Sequence, residues 1–136
     1  GHNLGRIIYD GFAAKNTGVP GDIKGYSKER VIHSPGEGNI NNISKISDYV
    51  EKNQIIATVG GENVYASLSG ILRGIIYDNT YVKKGLKIAD IDPRKEELQN
   101  CYKISDKARC IAGGTLEALL NMCFTKNIIK NERSIS

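Results

Sequence analysis

The chain has no tryptophan, one methionine, three prolines and only two histidines, His2 and His33. Histidine scarcity matters beside Cys101, Cys110 and Cys123, which show neither Cys-x-x-Cys nor any paired metal-ligand spacing. A zinc site is therefore not written in the pattern. Three cysteines are an odd number, so they predict reduced thiols and a cytoplasmic protein. No apolar run approaches the ~18 residues that a membrane span needs. No secretory signal and no initiator methionine open the chain, which predicts a piece of a longer protein. Aromatic residues make up 7%, and the net charge of +4 comes from cations scattered among acids. The local basic excesses, Lys24-Lys28-Arg30 and Lys126-Lys130-Arg133, are modest. Such a surface predicts no nucleic-acid partner and no membrane partner. Neither a Ser-His-Asp grouping nor a phosphate loop is present to suggest self-sufficient catalysis.

What the chain does have is the same stretch twice. Tyr49-Val50-Glu51-Lys52-Asn53-Gln54-Ile55-Ile56-Ala57 returns as Tyr81-Val82-Lys83-Lys84-Gly85-Leu86-Lys87-Ile88-Ala89, an offset of 32. The offset extends backwards: Ile32 falls on Val64, Gly38 on Gly70, Ile40 on Leu72 and Ile43 on Ile75. Two copies are too few for a solenoid. Two short β units with one apolar face each hide their edges best by closing on one another. The expectation is a quasi-two-fold β sandwich or barrel, with Gly38 and Gly70 opening matching turns and Gly60-Gly61-Glu62-Asn63 as a tight hairpin between the copies.

The flanks read differently. Arg6-Ile7-Ile8-Tyr9 predicts a short strand, and Asn16-Thr17-Gly18-Val19-Pro20-Gly21 a turn-rich loop beside Lys15. Such a loop can aim backbone N–H groups at an anion, although turn chemistry alone explains every residue. His33 stands where the second copy has Tyr65, which argues for a surface or structural role. Pro93 stops the second copy, and residues 94–99 form a connector. Ala108, Ile111, Ala112, Thr115, Leu116, Leu119, Leu120 and Cys123 then recur at helical spacing, with Ser105 as N-cap and Asp106 in the first turn. Gly113-Gly114 inside that stripe costs about 1 kcal/mol per glycine relative to alanine, so another backbone is expected to approach closely there. Cys110 and Cys123 are expected as small apolar residues. The divisions are thus 1–26, strand and loop; 27–93, the repeat; 94–126, connector and helix; and 127–136, a tail.

Two resemblances follow from these residues. The turn glycine followed by Val-x-Lys-x-x-x-Ile-Ala, in two copies, resembles the barrel-sandwich hybrid fold of biotinyl and lipoyl carrier domains. That resemblance implies a quasi-two-fold barrel-sandwich hybrid, and the helical stripe adds a C-terminal helix to a mainly β protein. Carrier domains present a modified lysine on the hairpin between halves. Here Val59-Gly60-Gly61-Glu62-Asn63-Val64 carries neither lysine nor methionine, so no covalently bound cofactor is expected. Secondly, four ordered blocks resemble the C-terminal half of the selenium-dependent molybdenum hydroxylase accessory family, also described as molybdenum cofactor biosynthesis proteins. They are residues 4–9, residues 16–21, Ile91-Asp92-Pro93-Arg94, and Ile104-Ser105-Asp106-Lys107-Ala108 leading to Gly113-Gly114-Thr115-Leu116.

That second resemblance implies a bacterial cytoplasmic factor that helps mature enzymes of the xanthine dehydrogenase type. It implies a molybdenum hydroxylase client, a missing N-terminal nucleotide-binding half, and a molybdenum cofactor or selenium species handled by the full-length protein. The blocks nominate Lys15, Asn16, Thr17 and Gly18 as one ligand loop. Asp92, Arg94, Ser105, Asp106 and Lys107 form a second, because a helix N-terminus beside cations suits an anion; helix capping and an Asp–Arg pair explain the same residues. Three functional readings stay open. One is a cofactor-positioning or client-docking module; another is a thiol-dependent transferase using Cys101, which precedes Lys103 and Lys107. The last is an assembly domain through which two chains pair as a homo-oligomer.

Overall fold

The structure is a computed structural model that describes residues 3–15 and 20–126. The chain divides into two compact units: Thr17–Tyr102, and a second built from Gly1–Asn16 with Lys103–Ser136.

The first unit is all β apart from two short 3-10 turns, Lys28–Arg30 and Lys95–Asn100. Its strands are β1 (Val31–His33), β2 (Gly38–Asn42), β3 (Tyr49–Val50), β4 (Ile55–Val59), β5 (Glu62–Tyr65), β6 (Gly70–Ile75), β7 (Tyr81–Val82) and β8 (Lys87–Asp92). They form two four-stranded antiparallel sheets, ordered β1-β8-β6-β3 and β5-β4-β2-β7. Exchanging the first four strands for the last four converts one order into the other. The sequence repeat is therefore also a repeat of topology. Each sheet takes strands from both copies, so neither copy builds a sheet by itself.

The hydrogen bonds repeat with the strands. The Ser47 N–H donates to the Leu72 carbonyl at 2.9 Å, and the Asn79 N–H to the Ile40 carbonyl at 2.8 Å. Likewise the Asn53 N–H donates to Ala66 at 2.8 Å and the Gly85 N–H to Ser34 at 2.9 Å. Asn53 and Gly85 share the left-handed backbone, with φ of 69° and 79°. Asn and Gly are the residues that tolerate it best, which explains an Asn–Gly exchange between the copies. Gly60 and Gly61, both at positive φ, make the two-residue turn that joins β4 to β5.

Alternation puts one side chain of each pair inward. Ile40 and Leu72, Ile56 and Ile88, Ala57 and Ala89, Val50 and Val82, and Val59 and Ile91 are buried equivalents in one continuous core. Each fully buried aliphatic side chain is worth about 1.5–3 kcal/mol. Ile43 departs from the pattern and is 60% exposed. Gly38 and Gly70 begin strands instead of opening turns. A Cβ on Gly70 would run into the Asp92 carbonyl, and one on Gly38 would meet the Gly60 Cα at 2.9 Å. Because 60 and 92 are themselves 32 apart, both glycines answer the same close approach.

The second unit holds α1 (Asp106–Thr125). Ser105 caps it, its hydroxyl accepting from the Ala108 N–H at 3.3 Å. The strand expected at Arg6–Tyr9 is not formed; these residues are coil. The described part of this unit offers only a helix and coil, hence no edge against which a strand could pair. Instead the chain at Gly5 presses on the helix. A Cβ on Gly114 would collide with the Gly5 carbonyl, and a Cβ on Gly5 with the Cys110 carbonyl. Gly113 faces open space. Close backbone approach thus accounts for one glycine of the pair. Gly113→Ala should therefore raise the thermal stability of this unit by up to about 1 kcal/mol. Gly114→Ala should release residues 3–7, seen as faster amide exchange there by mass spectrometry.

Candidate functional site

Asp92, at the end of β8, is 2% exposed, the deepest ionisable side chain described. Pro93 follows and ends the ladder, so the chain turns and Arg94 folds back. Its Nε donates to Asp92 Oδ1 at 3.0 Å and Nη2 to Oδ2 at 2.8 Å, a bidentate clasp; the Arg94 backbone N–H adds a third bond at 3.0 Å. Arg73, from β6, stands 3.6 Å from Asp92 Oδ2 and 3.2 Å from Glu97 Oε2. Arg94 also reaches Glu97, at 3.3 Å. The Arg73 Nη2 donates to the Asn100 carbonyl at 3.3 Å, and Asn100 Nδ2 to Glu97 at 3.0 Å. Two guanidinium groups and two carboxylates balance within the cluster.

Burial by itself would push the Asp92 carboxyl up. The Arg94 fork and backbone N–H, with the charges of Arg94 and Arg30, outweigh it and hold Asp92 below its ordinary value. The same carboxylate holds the Arg94 guanidinium above its own. The mate of Asp92 is Gly60, in the covalent hairpin between β4 and β5. At the other end no peptide links β8 to β1, because the chain enters at Arg30 and leaves at Asp92. Side chains close that gap. Arg30, 7% exposed, donates from Nε to the Ile91 carbonyl at 3.2 Å, from Nη1 to Gly21 at 3.3 Å, and pairs with Asp90 at 3.4 Å.

The other nominated residues fall on separate elements of the two units. Lys15 is exposed coil. Asn16, Thr17 and Gly18 lie outside the described residues. Ser105 is the helix cap, with Asp106 and Lys107 exposed in the first turn of α1. These three belong to the unit of α1, whereas Asp92 and Arg94 belong to the β unit. Cys101 ends the second 3-10 turn, half-buried, with Sγ 4.0 Å from the Glu97 carbonyl. Lys103 and Lys107 fall in the other unit. Cys110 and Cys123 are half-buried in α1. Among the described residues no three His, Cys, Asp or Glu side chains group as metal ligands.

The largest difference between the copies lies on the outer faces of the sheets, which sequence reasoning passed over. On the β1-β8-β6-β3 face Ile71 is buried, Arg73 and Asp90 are half-buried, and the flanking turns reach them through Glu97, Asn100 and Arg30. Lys95 Nζ lies 4.4 Å from the centre of the Tyr49 ring. On the β5-β4-β2-β7 face the equivalents are Asn39, Asn41 and Thr58, flanked by Asn63, Tyr65 and Tyr81. Asn41 pairs with Thr58 and Thr58 with Asn63 across the strands; Asn39 pairs with Tyr81. All but Thr58 are exposed, and none is charged. Tyr65 is 51% and Tyr81 58% exposed. At the rim the Tyr81 hydroxyl donates to Glu37, whose carboxylate pushes the phenol above its usual range. The signal was readable in the repeat: the substitutions Asn39 to Ile71, Asn41 to Arg73 and Thr58 to Asp90 fall on outward positions of the same strands.

No family model matches the chain. No solved structure matches it significantly. It is 46% identical over 120 residues to a protein of Escherichia coli (strain K12) described as uncharacterized protein YqeB. The match takes in 88% of this chain but 22% of that protein, so the chain spans about a fifth of the length of this relative.

The Asp92 clasp yields a pH prediction. A carboxylate held below its unfolded value of ~3.9 contributes stability at neutral pH and loses it as pH falls through the folded value. Unfolding free energy, followed by urea titration, should therefore decline from about pH 4 downward. Asp92→Asn should be about 2–3 kcal/mol less stable at pH 7, below the figure for fully buried pairs because Arg94 is 31% exposed, and its acid slope should be shallower.

Proposed function

We propose that this chain is the C-terminal part of an accessory factor for selenium-dependent molybdenum hydroxylases of the xanthine dehydrogenase type, and that its β unit docks the client enzyme. Four ordered motif blocks support the family reading. The β unit is a barrel-sandwich hybrid in this reading, related to biotinyl and lipoyl carriers. Two interlocked four-stranded sheets support it. The carrier position has become Gly60-Gly61, so the scaffold is kept without its arm.

The observation that carries docking is the unequal outer faces. Among the described residues, turns cover one sheet and leave the equivalent face of the other exposed. The bare face pairs two exposed tyrosines with uncharged amides and a threonine. Protein interfaces are depleted of charge at their centre and enriched in tyrosine, and this face shares that composition. The Asp92 cluster does not fit a phosphate-bearing molybdenum cofactor, since the guanidinium groups of Arg73 and Arg94 already face carboxylates. Handling of cofactor or selenium species falls to the longer protein, with its nucleotide-binding half, in the cytoplasm. The described helix is not long and apolar enough to cross a membrane.

The test is affinity capture by the full-length protein from bacteria that express a molybdenum hydroxylase. Wild type should recover the hydroxylase. An Asn41→Arg, Tyr65→Ala double variant should recover at least about tenfold less, the result of losing 1.4 kcal/mol or more at an interface. Its melting temperature should stay unchanged, because both side chains are exposed. Equal recovery by the variant, or none above background by wild type, would overturn the docking role.

A further inference from the structure

The two outer sheet faces are equivalent through the 32-residue offset, and one of them is occupied. The segment after β8, from Arg94 to Tyr102, touches the β1-β8-β6-β3 sheet at three places. Lys95 Nζ stands 4.4 Å from the centre of the Tyr49 ring, a cation over an aromatic face. Glu97 pairs with Arg73 at 3.2 Å. The Tyr102 hydroxyl donates to the Ile46 carbonyl at 3.0 Å. The first copy has no such segment, because its chain turns at Gly60-Gly61 straight into β5. The covering segment therefore shows which groups one face holds, and the offset shows where they fall on the other.

Tyr49 falls on Tyr81 and Arg73 on Asn41. Tyr81 begins β7 and pairs with β2, as Tyr49 begins β3 and pairs with β6. Among the described residues no cation stands over the Tyr81 ring, which is 58% exposed against 43% for Tyr49 beneath its lysine. The charge beside the ring also differs between the copies. Glu37, which accepts from the Tyr81 hydroxyl, stands where the second copy has Ser69. Glu37 is exposed and, among the described residues, has no cation within ion-pair distance, Lys83 just beyond β7 included. Asp90, Asp92, Glu96 and Glu97, around the covered face, are all ion-paired.

We propose that Tyr81 and Glu37 receive a lysine or arginine of the client protein, its cation over the Tyr81 ring and against the Glu37 carboxylate, with an uncharged hydrogen-bonding side chain of the client on Asn41. This rests on the docking role and gives that face its chemistry. An aromatic face and a carboxylate both attract a cation and both repel an acid, so the two act with one sign. A cation on the ring face leaves the bond from the phenol hydroxyl to Glu37 in place. Arg73 calls for a carboxylate, and Glu97 supplies it; Asn41 offers an amide instead, which a neutral donor or acceptor satisfies. Lys95 and Glu97 are two residues apart. A client element of the same form carries its basic residue two positions ahead of the uncharged one.

The test reads the sign of the charge. It measures capture of a molybdenum hydroxylase by full-length variants. Glu37→Lys and Tyr81→Leu should each recover at least about tenfold less hydroxylase than wild type, whereas Tyr81→Phe, which keeps the ring, should stay within about threefold. Lys83→Glu should recover at least as much as wild type. These side chains are exposed, so each variant should keep the wild-type circular dichroism spectrum. A gain with Glu37→Lys and a loss with Lys83→Glu would overturn the proposal and give the face to an acidic partner. Wild-type recovery by both Glu37→Lys and Tyr81→Leu would overturn it and leave the docking role standing. No recovery by wild type would overturn both.

Discussion

Interlocking of two copies is the constraint on which the β unit depends. Each four-stranded sheet takes its two central strands from one copy and its two edge strands from the other. A single copy therefore has no complete sheet and no closed core; its apolar face becomes a core only against the other copy. This explains why equivalence extends beyond buried side chains to turn hydrogen bonds and to the left-handed residues Ser47 and Asn79, or Asn53 and Gly85. The turns must deliver strands to the opposite sheet at the same places in both copies, so their backbone is held as tightly as the core.

A two-fold arrangement made from one chain has an unavoidable asymmetry. One junction between copies is covalent, and the other is where the chain enters and leaves. At the first, two glycines make a turn. At the second, Arg30 bridges to Asp90 and the Ile91 carbonyl, while Asp92 is locked by Arg94 and approached by Arg73. A charged network here replaces a peptide bond. That origin accounts for a buried aspartate at the position where the other copy has glycine, and for its carboxyl staying ionised in spite of burial. It also fixes where the flanking turns lie, and therefore which outer face they cover and which stays open.

The open sheet face carries the proposed function for a physical reason. Uncharged side chains left in water, in a chain that is 25% charged, mark a surface whose partner is not in the same unit. The sheet face is polar and uncharged, the chemistry of a reversible protein contact.

By itself the sequence determined the existence and period of the repeat, because an apolar pattern with a fixed offset reports on burial strand by strand. It also determined α1 and its Ser105 cap, since helical periodicity and capping are local. The close approach at Gly114 was visible as a cost needing an offset, though not which of the two glycines met it. Tertiary structure alone decided the rest. Arg6–Tyr9 has strand-like residues, yet a strand exists only against a partner, and its unit supplies none. Arg73 and Glu97 are unremarkable in the sequence and become half of a charge cluster because β6 runs beside β8. The distinction between Asn41 and Arg73 was written in the chain, but what it means depends on which sheet face the flanking turns cross. That is a long-range fact, and no local pattern encodes it.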